Sequence, residues 1–340
     1  MGEVDVASSG AVLLGSSVVC DGFQLGRPVR VQTHIHDDHM RDFERSKGFQ
    51  DLIMSEATRN LLIAEFNADL EYRENVVAVP HGKSFECAGG RLTLLSSGHM
   101  LGAVQVSLET PDGRRLGYSG DFHWPISDVM QVDELVVDST YGSEQSIRAY
   151  SQEEAEMRFL ELVFAKLKIG SVHIKAHRGT VQRALQILSG NIDVPVLASD
   201  RLCREVRVYQ SFGCAVGELT LTTCPAGQQA LRTKRYVRLY SKGDREPVDL
   251  AEGAKIVLSA FMNKTTDPVI EYSERGYSVA LSNHADFNGT LAYVAATGAK
   301  LVVTDNSRGH GVELARAIRN QLGIIARPST NLESREWGVG

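Results

Sequence analysis

No two cysteines in this sequence are spaced for a zinc knuckle or a redox couple. The five present, Cys20, Cys87, Cys203, Cys214 and Cys224, are scattered singly through 340 residues. That spread excludes a disulfide framework and reads as reduced thiols in a cytoplasmic protein. Nor does any apolar run approach the roughly 20 residues that a membrane helix needs. The opening Met1-Gly2-Glu3-Val4-Asp5 is acidic and lacks the basic-then-apolar order of a signal peptide. No membrane partner is expected. Internal repeats, low-complexity tracts and an excess of positive charge are also missing. The net charge of −6 argues against nonspecific capture of polyanions, yet it leaves room for a site whose own ligands are acidic. The hydrophobic fraction of 43% and charged fraction of 23% are ordinary for a globular chain, long enough to bury a large core in one or two domains.

What the chain does have is Thr33-His34-Ile35-His36-Asp37-Asp38-His39, directly after the strand-like run Pro28-Val29-Arg30-Val31-Gln32. Three imidazoles and the Asp38 carboxylate fall within a few residues, at a spacing that does not fit one face of a helix. In a loop leaving a strand end, His34 and His36 can reach one metal while Asp38 and His39 turn toward a neighbouring one. Neutral imidazole and carboxylate suit zinc. A lone histidine is more often a core or surface residue, but so dense a cluster without a ligand would leave polar groups uncompensated.

The first third reads as short strands joined by tight turns. Ala11–Leu14 and Ser17–Cys20 flank a Gly15-Ser16 hairpin turn, and Ser55 caps a helix through about Phe66. Val76–Val79, Leu92–Leu95, Val104–Leu108 and Arg115–Tyr118 are further strands, so His99 and Asp121 both fall just after strands. After Gly142 the pattern changes. Ser151-Gln152-Glu153-Glu154 opens a helix running to about Lys168, and strands then alternate with helices, as in a parallel α/β unit. Strands resume at Ala254–Leu258, Asp267-Pro268 reads as a helix start stopped by Gly276, and Gly311 to about Leu322 looks helical.

The histidine motif resembles the signature of the metallo-β-lactamase fold, and its companions follow in the family's order. Ser97-Gly98-His99-Met100-Leu101-Gly102-Ala103 is similar to the loop of its next histidine ligand, and Tyr118-Ser119-Gly120-Asp121-Phe122 to that of its bridging aspartate. Val136-Val137-Asp138-Ser139-Thr140-Tyr141-Gly142 and Leu281-Ser282-Asn283-His284-Ala285-Asp286 are similar to motifs of the β-CASP branch, whose members are nucleases acting on RNA or DNA. The resemblance runs from about Gly10 to Ala326, strongest at the metal loops. It implies an α/β protein, a metallo-β-lactamase αββα sandwich with a smaller inserted β-CASP-like α/β domain. The divisions are 1–141 and 253–340 for the sandwich and 142–252 for the insertion.

On the family pattern His34, His36 and His99 hold one metal, Asp38 and His39 hold a second, and Asp121 bridges. Two zinc ions are implied, the second the weaker, with manganese as an alternative. Such ions about 3.5–4 Å apart lower the pKa of a shared water and clamp an in-line displacement at phosphorus. The resemblance assigns proton delivery to His284 with Asp138 as its partner, completing a catalytic set of Asp38, Asp121, Asp138 and His284. The substrate implied is nucleic acid, as a single strand or strand end. A second copy of the chain, or a repair or processing complex, is the implied company. The short ligase-associated DNA exonucleases and the endonuclease of mRNA 3′-end processing are equally similar, which leaves the sugar open.

Two departures stand out. Where the ribonucleases place a histidine after the last strand, this chain has Thr304-Asp305-Asn306; Asp305 is a candidate ligand there, with His310 nearby. Where the family has Gly-Arg-x-Gln, this chain has His177-Arg178-Gly179-Thr180-Val181-Gln182, so Arg178, Gly179 and Thr180 become phosphate-binding candidates. The basic run Arg232, Lys234, Arg235, Arg238, Lys242 and Arg245, interleaved with Tyr236 and Tyr240, is a candidate backbone track with stacking aromatics; alternating charge suits a solvated strand equally. A small-molecule hydrolase would share the metal loops, without needing the insertion or the Asp138–His284 pair. An inactive scaffold would be expected to have lost ligands that are all present here.

Overall fold

The computed structural model describes residues 3–245, 252–259 and 266–329. These form two compact units: one of residues 1–59, 69–147 and 284–340, the other of 60–68 and 148–283. No helix among the described residues is long and apolar enough to cross a membrane, and all five cysteines are free.

The first unit holds two sheets. One runs Val4–Val6, Val12–Leu14, Val18–Cys20, Val29–Gln32, Asp51–Met54, Val76–Ala78 in spatial order. The other runs Ile325–Pro328, Leu301–Thr304, Glu134–Val137, Arg115–Tyr118, Val104–Glu109, Gly90–Ser96, Ser84–Cys87. Side-chain alternation decides how they stack. Val29, Val31 and Ile53 of the first sheet meet Leu94, Val106, Leu116, Val136 and Val303 of the second in one core. Leu135, Val137 and Val302, the alternate members of those strands, point the other way. They pack under Phe287, Leu291 and Val294 of the helix Phe287–Ala296 and Leu314 of the helix Gly311–Ala317. On the far side of the first sheet, fully buried Arg30 reaches Ser46 Oγ (3.0 Å) and lies 5.1 Å from the Phe43 ring, both on the helix Phe43–Phe49. The layers are helix, sheet, sheet, helix.

The second unit is built on one sheet in the order Thr220–Leu221, Val196–Ala198, Val237–Ser241, Val172–Ala176, Ala254–Leu258, Gly276–Val279, Val269–Ser273, parallel except for the last pairing. Its helices include Gln152–Leu167, capped by Ser151 Oγ accepting from Glu154 N (3.1 Å), as expected. Two expectations fail here. Ala254–Leu258 pairs with Val172–Ala176 instead of returning to the first unit, so the second unit extends to Asn283 and not to Glu252. A five-residue apolar run suits either sheet, and its partner is not a local property. The expected helix after Asp267-Pro268 is the strand Val269–Ser273 of a hairpin. Asp267 Oδ1 does accept from Val269 N (2.9 Å), as a cap would, but β-branched Val269 and Ile270 and aromatic Tyr272 favour the pleated surface.

Candidate metal centre

The strand Val29–Gln32 leads into His34 and His36, and the chain then winds through one 3-10 turn, Asp37–His39, which leaves His39 buried. A polar network beneath secures this loop. Arg30 donates to Arg41 O (2.8 Å) and His39 O (3.0 Å), and to Gln32 Oε1 (2.7 Å). Gln32 Nε2 donates to His34 O (2.6 Å). The loop's buried carbonyls are thereby satisfied without helix or sheet.

Behind the histidines stands Asp21. Thr33 gives it both its N–H (2.8 Å) and its hydroxyl (2.6 Å), and His39 Nδ1 lies 2.6 Å from Asp21 Oδ2. His34 Nδ1 is 3.0 Å from Thr33 Oγ1. Since the Thr33 proton goes to Asp21, His34 Nδ1 must donate to Thr33, and His39 Nδ1 donates to the carboxylate. When neutral, both rings therefore turn an Nε2 lone pair inward. Burial opposes the Asp21 charge, but His39 outweighs it and holds the carboxyl below its ordinary range.

Two more strand-end loops complete the set. His99 lies in the loop after Gly90–Ser96. Its Gly102 has φ +81°, and a Cβ there would stand 2.6 Å from Thr58 N; the Ser55 and Thr58 hydroxyls hold Gly102 O at 2.8 and 2.9 Å. Asp121 follows Arg115–Tyr118 through Gly120, at φ +55° and close against Val104 O.

Donor atoms of His34, His36, His99 and Asp121 all lie within 4.8 Å of one another. Asp121 Oδ2 is 3.5 Å from His34 Nε2 and 3.7 Å from His99 Nε2, and His99 Nε2 is 3.2 Å from His36 Nδ1. His34 Nε2, His39 Nε2 and Asp121 Oδ1 are buried without a hydrogen bond. Each such atom costs about 1–3 kcal/mol if nothing compensates it. Burial and neighbouring Arg308 disfavour charge on His39, yet Asp121, Asp21 and Asp38 override them and push its imidazole up to about 10. The pocket attracts positive charge, and its imidazole-and-carboxylate donors fit a zinc-class ion.

A second group, Asp121, Asp138 and His284, also has donor atoms within 4.8 Å. His284 Nε2 is 4.0 Å from Asp121 Oδ2, and its ring packs between His99 (4.4 Å) and Tyr141 (5.1 Å). Thr140 donates its hydroxyl to Asp138 Oδ1 (2.8 Å). Burial, reinforced by the Asp121 charge, pushes the Asp138 carboxyl up to about 7.

Other candidates are held elsewhere. Asp38 and buried Asp305, expected on a second ion, both pair with Arg308, and neither belongs to a metal-spaced group among the described residues. His310 faces Glu313 (2.7 Å). Arg178 is buried in an ion pair with Glu65, and the Gly179 N–H is taken by Gln182 Oε1 (2.7 Å), so both serve the fold where phosphate contact was expected; Thr180 begins the helix Thr180–Leu188. Tyr236 and Tyr240 are buried, which removes them as stacking platforms. Arg238 lies on the inner strand Val237–Ser241, and Arg235 stands exposed 3.8 Å from Asp193. Sequence reasoning missed Asp21, noticed only as part of a turn, and Arg308. Asp21 carries no local signal, its partners Thr33 and His39 lying 12 and 18 positions on, and although Arg308 has Asp305 close by, its tie to Asp38 spans 270 positions.

No family model matches the chain. In sequence it is similar to an uncharacterised protein encoded in the lig 3′ region of Acidianus ambivalens, 30% identical over 140 residues that cover 40% of this chain and 99% of that one. An RNase J-like protein of Methanocaldococcus jannaschii is 26% identical over 173 residues, 46% of this chain and 41% of its own length. Transcription termination factor FttA of Pyrococcus abyssi is 29% identical over 138 residues, 36% of this chain and 21% of its own. The chain thus spans less than half of the latter two. In structure it is similar to a protein of unknown function from Enterococcus faecalis, with a TM-score of 0.57 at 13% identity over 89% of this chain and 80% of that one, a likeness of fold.

Proposed function

The chain belongs to the β-CASP branch of the metallo-β-lactamase-fold nucleases, and on that premise we propose that it is a metal-dependent nuclease hydrolysing phosphodiester bonds. The helix–sheet–sheet–helix layers are read as the family's αββα sandwich, and residues 148–283 as its inserted domain. His34, His36, His99 and Asp121 would hold a divalent ion. When bound, it supplies Lewis acidity toward a phosphoryl oxygen and acidifies a water in its shell.

The chain's own residues account for the rest. Asp21, through Thr33, keeps His34 in the tautomer that binds, and by its own contact turns Nε2 of neighbouring His39 inward as well. His284 delivers a proton to the departing oxygen, which would otherwise leave as a strongly basic alkoxide, and Asp138 orients that imidazole. An Asp–His pair suits general acid work near neutral pH. The observation that carries the reading is the convergence of unsatisfied atoms on Asp121, with His284 Nε2 4.0 Å from the same carboxylate. The free cysteines support a reducing, cytoplasmic setting.

RNA is the favoured substrate, because the relatives' names speak of an RNase and of transcription termination. The test is incubation of zinc- or manganese-loaded protein with RNA and DNA of one sequence, labelled at the 5′ or the 3′ end. RNA cleavage abolished by chelator is expected, and the ladder gives the polarity. Cleavage of DNA alone would keep the chemistry and reassign the substrate. Metal-loaded protein that cuts neither would turn the site over to a small-molecule hydrolase.

A further inference from the structure

We propose that the guanidinium of Arg308 holds the position a second divalent ion would take, so that the centre accepts one metal ion per chain. This rests on the metal-binding reading above. Arg308 Nη1 is ion-paired directly with Asp38 Oδ2, and Arg308 Nε lies 3.4 Å from Asp305 Oδ2. Asp38 Oδ2 is in turn 3.7 Å from His39 Nε2, which stands 3.1 Å from Asp121 Oδ1. These are the side chains that would have to turn toward a second ion. Among the described residues, the metal-spaced groups are His34, His36, His99 with Asp121, and Asp121, Asp138 with His284; none includes Asp38, His39 or Asp305.

The arrangement is built in from the strand below. Asp305 N donates to Val137 O (3.0 Å), and Asp305 O accepts from the Ser139 hydroxyl. Asp305 Oδ1 caps the turn Asn306–Arg308, accepting from Ser307 N (2.9 Å) and Ser307 Oγ (2.6 Å). Only Oδ2 is left, and it faces Arg308, whose side chain is 13% exposed. A guanidinium keeps its charge at any working pH and has no lone pair to offer a metal. It therefore excludes a second ion by charge and by occupancy, and supplies one fixed positive charge among carboxylates.

The test counts metal. Chelator-stripped protein is loaded with cobalt(II), freed of excess by gel filtration, and assayed for ions per chain, with circular dichroism to check the fold. One ion is expected in the wild type, and two in Arg308→Met, the adjacent pair showing a spin-coupled resonance signal. Arg308→Gln serves if the Met variant does not fold. Two ions in the wild type, or one in a folded variant lacking the arginine, would overturn the proposal. No ion in the wild type would sink the metal-binding reading itself, a result distinguishable from a count of two.

Discussion

Each unit buries a cluster of charged side chains, and the two clusters end differently. In the second unit Glu65 Oε1 accepts from Arg178 Nε (3.0 Å) and from Arg201 Nη1 (2.6 Å), and Arg201 also pairs with Asp244 (3.1 Å). Glu205 accepts from Gln182 (2.8 Å) and keeps its proton, its carboxyl pushed up to about 9 by burial and by the hydrogen bond with Glu65. That cluster closes on itself through this proton: Glu65 Oε2 and Glu205 Oε1, buried and with no other partner, share it. Around Asp121, by contrast, the Nε2 atoms of His34 and His39 and a carboxylate oxygen crowd together as ion-pair contacts, 3.1 Å at the shortest, with no well-aligned hydrogen bond and no neutral partner to close the set. Buried polar groups are normally paired, so a set left open within a well-tied loop marks a place for something the chain does not supply. A closed cluster should answer mutation in stability, and an open one in chemistry.

The strongest attempt to break that contrast is His36→Ala. Metal content should fall by most of its value and activity on the order of 10³-fold or more, above what one electrostatic contact contributes. The melting temperature of the metal-free protein should stay near that of metal-free wild type. A steep loss of metal-free stability would make this cluster structural too. His284→Ala comes next. Protonating a leaving group is worth about 10²–10⁴ in rate, so turnover should drop by that factor while metal content and substrate affinity hold. A substrate with a sulfur leaving atom, which needs little protonation, should recover much of the loss. If the variant sheds metal, or the sulfur substrate gives no rescue, His284 is a ligand or a binder.

The closed cluster is read by pH. Folded Glu205 holds its proton up to about 9, against an ordinary glutamate value of 4.5. Between those values the folded state binds more protons than the unfolded, so its stability falls as pH rises through that window and is fully present only below 4.5. Glu65 is held below its ordinary value, against burial, by Glu205 and Arg178, so its contribution fades at the acid end instead. The melting temperature should decline from about pH 5 toward pH 9, by roughly 2–4 °C for each kcal/mol lost. Glu205→Gln should flatten that limb, since an amide donates to Glu65 without titrating. An unchanged slope in the variant would assign the pH dependence elsewhere.

How much of this was legible depends on whether a residue's partners are near it in the chain. His34, His36 and His39 announce themselves by proximity, and His99 and Asp121 by following strands whose alternation is plain. Asp38 was legible as an acid beside them, but its tie to Arg308, 270 positions away, is not written locally. The same holds for Arg178, whose Glu65 partner lies 113 positions earlier, and for Asp21, which is 18 positions before His39. The end of the second unit was misplaced for a related reason: Ala254–Leu258 carries a strand pattern but no mark of which sheet it joins.

A third kind of charge, exposed and only partly paired, should give the smallest response. Lys234 pairs with Glu252 (2.7 Å), and Arg235, 66% exposed, stands 3.8 Å from Asp193. Exposed pairs of this sort contribute about 0–1 kcal/mol to stability, so Arg235→Ala should leave the melting temperature almost unmoved. With Tyr236 and Tyr240 buried, the segment has no stacking to offer, and any role in binding must be ionic. A phosphate contact to a single strand contributes about 0.7 to the slope of log affinity against log salt. Arg235→Ala should therefore reduce the steepness of that slope by no more than this amount, with turnover at saturating substrate unchanged. Fluorescence anisotropy of a labelled strand between about 50 and 200 mM salt reads it directly. An identical slope in wild type and variant would return Arg235 to the solvated surface, and the strand's track would have to be sought among other cations.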